Sequence, residues 1–246
     1  MAFGIKCLNS ATSSVQVDET YKNLTYTGKY TVATADYYEG QQPQDTANTT
    51  QVSYIDLNLG TTGTPFIAFN PAYNWVVLPT NWDGTTTTYQ TMIEAPNGTS
   101  VEYYVFNEPP AISSPSGTGV LIRNAAGEPT FYHDYRYLKV VDVISAADYT
   151  TSGFSYSIPG GKTYAIMPLA FPIKAIQYQE GSAPAPLTRY RTQRWGYFVR
   201  NTGSAFTSTF KKYYDSRDAY FNNSANFDMN VDIRSYTIMV IDVTGY

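Results

Sequence analysis

The stretch with the most chemical potential is Arg189-Tyr-Arg-Thr-Gln-Arg-Trp-Gly-Tyr-Phe-Val-Arg200. Four arginines interleaved with Tyr190, Trp195, Tyr197 and Phe198 have the composition of a protein interface, where guanidinium groups and aromatic rings supply the strongest contacts. Arg189, Arg191, Arg194, Trp195, Tyr197 and Arg200 are therefore the candidate contact residues. Two other readings stand beside this one. The arginines could belong to an ordinary strand, their stems along an apolar face and their heads in water. The rings could also stack on single-stranded nucleic acid, but a net charge of −4 provides no field to attract it. Trp82, flanked by Asn81 and Asp83-Gly84, is the aromatic best suited to an exposed loop and a sugar contact. In a β-protein such rings more often pack a core.

Catalytic groups are sparse. Cys7 and His133 are the one thiol and the one imidazole, and a Cys–His nucleophile pair needs them together. An internal repeat, described below, sets Cys7 opposite Ile122, an apolar strand position, and His133 near Asp18 in a polar turn. A buried cysteine and a surface histidine follow. One histidine and one cysteine also cannot furnish a zinc site of the usual nitrogen and sulfur ligands. Asp228, Asn230 and Asp232 alternate onto one strand face, yet no loop glycine or closing glutamate makes them a calcium loop, and a solvated face is the better reading. Glu94, Glu102, Asp142 and Asp148 are carboxylates of the kind glycoside hydrolysis uses, but nothing sets two of them across a cleft. No Gly-x-Ser-x-Gly elbow, phosphate loop or dinucleotide fingerprint occurs, and Gly160-Gly161-Lys162 reads as a hairpin turn. No catalytic, cofactor-binding or metal-binding residue is assigned, and the chain is not expected to be an enzyme.

These residues must be positioned by strands. Only 15% of the 246 residues are charged, while 24 are Tyr and 12 Phe, a composition that suits pleated, half-buried surfaces. Val52–Leu59, Ser100–Phe106 and Arg234–Val243 alternate apolar with polar, as strands with one buried face do. Phe66–Phe69, Trp75–Leu78 and Tyr164–Met167 read as fully buried strands. Turn chemistry at Asp83-Gly84, Asn97-Gly98, Ala126-Gly127 and Gly160-Gly161 separates them. One short helix is expected, over residues 208–220.

The Pro-rich segment Asn107-Glu-Pro-Pro-Ala-Ile-Ser-Ser-Pro-Ser-Gly-Thr118 cannot be a central strand. The expected organisation is a β-module over residues 1–107, a linker over 108–118 and a second β-module over 119–246. The halves resemble each other. Gly4-Ile-Lys-Cys-Leu-Asn9-Ser-Ala11 then Tyr21-Lys-Asn-Leu24 matches Gly119-Val-Leu-Ile-Arg-Asn124-Ala-Ala126 then Tyr135-Arg-Tyr-Leu138. Farther on, Val52-Ser-Tyr-Ile and Thr64-Pro-Phe-Ile-Ala-Phe-Asn-Pro71 match Phe154-Ser-Tyr-Ser and Thr163-Tyr-Ala-Ile-Met-Pro168. Each half closes on an alternating strand. The expected fold is thus all-β, two tandem related β-sandwich-like modules joined by a Pro-rich linker. Each module opens with a hairpin whose Asn bonds its own chain two residues on, and Gly127 supplies a left-handed position in the second copy.

The opening motif Gly119-Val-Leu-Ile-Arg-Asn-Ala-Ala-Gly-Glu-Pro-Thr-Phe131 resembles the start of small tail-tip proteins of long-tailed bacteriophages. The copy from Gly4 fits less well, lacking the glycine after the alanine. The resemblance covers two stretches of about twenty-five residues. It implies a structural virion protein of the tail tip, docked on other tail proteins, linked to a fibre or host-contact component, and assembled as a homo-oligomer or symmetric array. It supplies no catalytic residue. Met1-Ala-Phe-Gly-Ile-Lys6 has no basic region followed by an apolar run, and no apolar stretch reaches the length of a membrane span. The expectation is a protein made in the host cytoplasm and carried in the virion, with no cofactor, no nucleic acid and no membrane span. The alternative is a carbohydrate-binding adhesin that recognises a host surface glycan or receptor.

Overall fold

Among the described residues, every regular element in the computed structural model is a strand. The structure describes residues 7–8, 15–17, 23–36, 53–58, 65–70, 72–73, 75–77, 81–82, 87–96, 98–109, 118–146, 155–170, 173–182, 187–221, 230–233 and 235–246, in parts of the strands by backbone alone. Up to Asn107 the strands are β1 (Cys7–Leu8), β2 (Val15–Val17), β3 (Thr25–Ala33), β4 (Ala35–Asp36), β5 (Ser53–Asn58), β6 (Phe66–Phe69), β7 (Trp75–Val77), β8 (Asn81–Trp82), β9 (Thr87–Ile93) and β10 (Ser100–Asn107). Beyond it come β11 (Leu121–Arg123), β12 (Pro129–Tyr132), β13 (Val140–Ala146), β14 (Ser155–Ser157), β15 (Tyr164–Ala170), β16 (Ile173–Ser182), β17 (Leu187–Asn201), β18 (Ala205–Phe221), β19 (Asn230–Ile233) and β20 (Tyr236–Asp242). The helix expected over residues 208–220 is not there. That stretch lies within β18, which pairs with β17 from Leu187↔Phe221 to Asn201↔Phe206. Its β-branched and aromatic residues have weak helix preference, and the long ladder decides the outcome.

Six strands form one antiparallel sheet in the order β13-β20-β15-β6-β10-β3. A ten-stranded sheet runs β14-β18-β17-β7-β9-β5-β4, with β16 added to β17, β19 to β16 and β8 to β9. In each sheet the strands before and after the Pro-rich segment meet at one seam. The seams are single bridges, Ile166↔Phe69 in the six-stranded sheet and Val199↔Trp75 in the larger one. Outward from the first seam run β6, β10, β3 on one side and β15, β20, β13 on the other. Outward from the second run β7, β9, β5 and β17, β18, β14. Both series visit these places in the same chain order: β3, β5, β6, β7, β9, β10 against β13, β14, β15, β17, β18, β20. The hairpins β1–β2 and β11–β12 precede them.

The two sheets pack face to face. From the smaller sheet Ile67, Phe69, Val101, Tyr103, Val105, Tyr164, Ile166, Tyr236, Ile238 and Val240 meet Trp75, Ile93, Val199 and Phe206 of the larger. Side chains alternate across a strand, so Tyr104 and Phe106 of β10 turn the other way. They join Ala68, Ala165, Met167, Ile241 and Val243 in a second cluster, packed by Leu24, Tyr26, Leu138 and Tyr246. The central strands of the six-stranded sheet are therefore buried on both faces, which is why Phe66–Phe69 reads as a continuous apolar run. Both clusters draw on residues from either side of the Pro-rich segment.

Local chemistry sets the corners. Thr34, 2% exposed, sits where the chain leaves β3 for β4 and so changes sheet. Its N–H donates to the Thr99 carbonyl (2.9 Å) and its hydroxyl to the Pro96 carbonyl (2.8 Å). The Gly98 N–H donates back to its carbonyl (2.8 Å) and the Thr99 N–H to its hydroxyl (3.0 Å). In the β11–β12 hairpin, Asn124 Oδ1 accepts from the N–H groups of Ala126 (3.0 Å) and Glu128 (2.9 Å), and Gly127 takes φ of 82°. Both features match the turn chemistry read from the sequence. Residues 110–117 of the Pro-rich segment lie outside the described residues.

Candidate interaction site

β17 and β18 are far longer than the sandwich requires. Fifteen residues of β17 at about 3.3 Å each give a strand of roughly 50 Å. Among its described side chains Val199 belongs to the inter-sheet cluster, with Tyr197 stacked on Tyr236 beside it at 5.8 Å. Near Val199 the neighbour opposite β18 is β7. From Gly196 down to Thr188 it is β16, which pairs in turn with β19. The sheet forks there, and a four-stranded arm, β19-β16-β17-β18, continues from the sandwich. A bulge marks the branch: Arg194 faces Tyr214 while Trp195 faces Lys212, leaving Tyr213 as an extra residue on β18. Such an insertion bends a strand and increases its twist.

The arm carries the Arg-aromatic stretch, but strand alternation divides its members. Arg191, Trp195 and Tyr197 share the parity of core-facing Val199, whereas Arg194 and Arg200 fall on the opposite parity. Trp195 is half-buried, with the Lys174 ammonium 5.4 Å from its ring centroid. Arg191 and Arg194 are half-buried too, and Arg200 is exposed. Tyr197 is 1% exposed and packs on Phe210 and Tyr236, so in this chain it is a core residue and not an outward contact. The physical reason is register: two residues from Val199, it must point inward with it. Arg189 is placed by backbone only, opposite Ala219. Trp82 lies in the two-residue strand β8 opposite Thr87, with its side chain outside the described residues.

The remaining candidates are scattered. His133 occupies an exposed turn after β12, its Nε2 3.0 Å from Asp134. Cys7 lies on β1, described by backbone alone. Glu102 pairs with Lys29 at 2.7 Å, and Asp142 accepts from the Val143 N–H of its own strand at 2.7 Å. Lys162, next to the Gly160-Gly161 turn, pairs with Asp242 at 2.7 Å. Asp232 is exposed on β19; Asp148 and Asp228 lie outside the described residues. Among the described residues no group of three metal-ligating side chains converges, and no helix is long and apolar enough to cross a membrane.

A second feature was not singled out from the sequence. A cavity of about 360 Å3 is lined by Tyr135, Arg136, Tyr137, Lys139, Thr244, Gly245 and Tyr246. The ends of the wall are tied by backbone bonds: Leu138 N–H to Leu24 carbonyl (2.9 Å), Tyr26 N–H to Arg136 carbonyl (2.6 Å) and Asp242 N–H to Lys139 carbonyl (2.9 Å). Arg136 Nη1 donates to the Gly245 carbonyl at 2.8 Å, and the Tyr246 hydroxyl donates to the Tyr137 carbonyl. Tyr137 stacks on Phe131 with ring centroids 5.0 Å apart, and the Lys139 ammonium lies 5.3 Å from the Tyr246 ring centroid. Beside the cavity, burial pushes the Asp242 carboxyl up. The Lys162 ammonium and the N–H and hydroxyl of Thr244 outweigh that and hold it at about 2. The density of Tyr and base in residues 135–139 was the available signal. The Thr244–Tyr246 turn that completes the wall is more than a hundred residues away.

The sequence matches no protein-family model and no curated protein, and the fold matches no solved structure.

Proposed function

We propose that this chain is a structural protein of the bacteriophage tail tip, docking on tail subunits and linking to a fibre or host-contact component. The observation that carries the reading is the matched strand order on the two sides of each seam. Six strands on either side, visited in the same chain order, favour two related β-sandwich modules, residues 1–107 and 119–246, with 108–118 as the linker. The likeness of Gly119–Phe131 to tail-tip proteins adds to it.

A duplicated β-body whose larger assets are surfaces suits a component that works by contact. Among the described residues the arm β19-β16-β17-β18 belongs to the second module alone, so the modules present different faces, one for the tail and one for the next component. Arg191, Arg194 and Trp195 on the arm and Arg200 beside it are the contact residues of this reading, with guanidinium groups able to bond a partner in a fixed plane. Tail assemblies repeat their subunits, and the long paired strands β17 and β18 offer an extended surface to a neighbouring copy.

Mass spectrometry of gradient-purified virions tests this directly. The protein is expected in particles at a stoichiometry constant between preparations. Presence in infected-cell lysate with absence from particles overturns it.

A further inference from the structure

We propose that the cavity between residues 135–139 and the Thr244–Tyr246 turn binds an anionic saccharide. Its volume, about 360 Å3, falls in the lower part of the ~300–1,000 Å3 range of small-ligand sites, and it is partly open to solvent, so a ligand need not be fully enclosed. The inference stands independently of the tail assignment.

Charge selects the ligand class. Arg136 and Lys139 both line the cavity, and among the described residues neither forms an ion pair. Arg136 commits one Nη1 donor to the Gly245 carbonyl, which holds its planar fork at the wall and leaves other N–H groups for a bound group. Lys139 is exposed and lies over the Tyr246 ring. The adjoining carboxylate, Asp242, is engaged by Lys162 at 2.7 Å and by the Thr244 N–H at 2.9 Å, so it does not neutralise the pair. Two cations thus line one small cavity without an ion pair among the described residues. A carboxylate or phosphate supplies the counter-charge.

The aromatic walls narrow the class. Tyr135, Tyr137 and Tyr246 are half-buried. The hydroxyls of Tyr137 and Tyr246 already bond the chain, the first to the Tyr132 N–H and carbonyl, the second to the Tyr137 carbonyl. Those rings are thereby fixed in place, with Phe131 on one face of Tyr137 and Lys139 over one face of Tyr246, and they line the cavity with carbon in place of free hydroxyls. Fixed phenol rings beside charged donors fit a ligand with C–H faces and an acidic substituent, which is a sugar acid or sugar phosphate. A purely apolar ligand would strip water from two cations. A nucleic-acid strand would require a charged groove several nucleotides long, and a cavity of about 360 Å3 with two cations is not one.

The test is isothermal titration of the full chain with digalacturonate (carboxylate arm), glucose 6-phosphate (phosphate arm) and neutral digalactose. At least one acidic probe is expected to bind roughly tenfold tighter than digalactose, and the arm that binds identifies the acidic group. Lys139→Ala is expected to weaken that binding by roughly tenfold or more, the loss of one charge-assisted bond. Lys29→Ala removes the same charge from β3, where Lys29 pairs with Glu102, and is expected to leave it unchanged. Thermal melting confirms that both variants fold. The proposal is overturned if neither acidic probe binds better than digalactose, or if Lys29→Ala costs as much as Lys139→Ala.

Discussion

Ile166 lies at the seam of the six-stranded sheet, fully buried, opposite Phe69 across the single bridge that joins β15 to β6. Ile166→Ala removes three carbons from a cluster that includes residues of both halves. At about 0.8 kcal/mol per methylene, the transfer contribution is about 2.4 kcal/mol. The cavity left at so confined a position adds to it, for a total of about 3–4 kcal/mol. A chain of this length shifts its melting temperature by about 2–4 °C per kcal/mol, so a fall of roughly 6–16 °C is expected. Because Ile67, Val105, Ile166 and Ile238 share one core, calorimetry should record a single transition that moves as a whole. Amide hydrogen exchange should show lost protection at Val105 and at Ile238 alike. Two separate transitions, with only that of residues 119–246 displaced, would refute the idea that the halves are welded through their cores.

Two further perturbations probe local devices. Asp242, held at about 2 against an ordinary 3.8, binds its proton more readily when unfolded, so its contribution is complete above pH 3.8 and is lost as pH falls towards 2. The gap corresponds to roughly 2 kcal/mol, reduced to about 1 kcal/mol because its partner Lys162 is 54% exposed and solvent screens the pair. Asp242→Asn should therefore melt lower than the parent at pH 7 and converge with it near pH 2; a gap that persists at pH 2 contradicts the ion-pair explanation. At Gly119 an added Cβ would sit 1.7 Å from His133 Cε1. Gly119→Ala should cost about 1 kcal/mol by displacing the ring, and His133→Ala in the same chain should restore most of it; additive losses in the double variant would show that the clash is not the cause.

Much of the sandwich was legible because its signals are local. Val101, Tyr103 and Val105 alternate with Glu102 and Tyr104, and Asn124 with Gly127 fixes a turn through bonds to its own neighbours. Signals spread along the chain were harder to read. The helix expectation over residues 208–220 arises because Lys211–Arg217 has no clean alternation; the strand form is imposed by fifteen paired positions on β17. Composition groups Tyr197 with the arginines, yet parity with Val199 sends it into the core. The seams Ile166↔Phe69 and Val199↔Trp75, and the meeting of Tyr135–Lys139 with Thr244–Tyr246, join residues about a hundred or more positions apart. No local propensity encodes such a meeting; it follows only once both sheets have formed.

A density map of the intact virion, with this chain placed in it, is the most direct test of the account. The expected result is a two-sheet body at the tail tip, with the β17–β18 arm of one copy against a neighbouring subunit. Density for it in the capsid, or no density for it anywhere in the particle, contradicts the assignment.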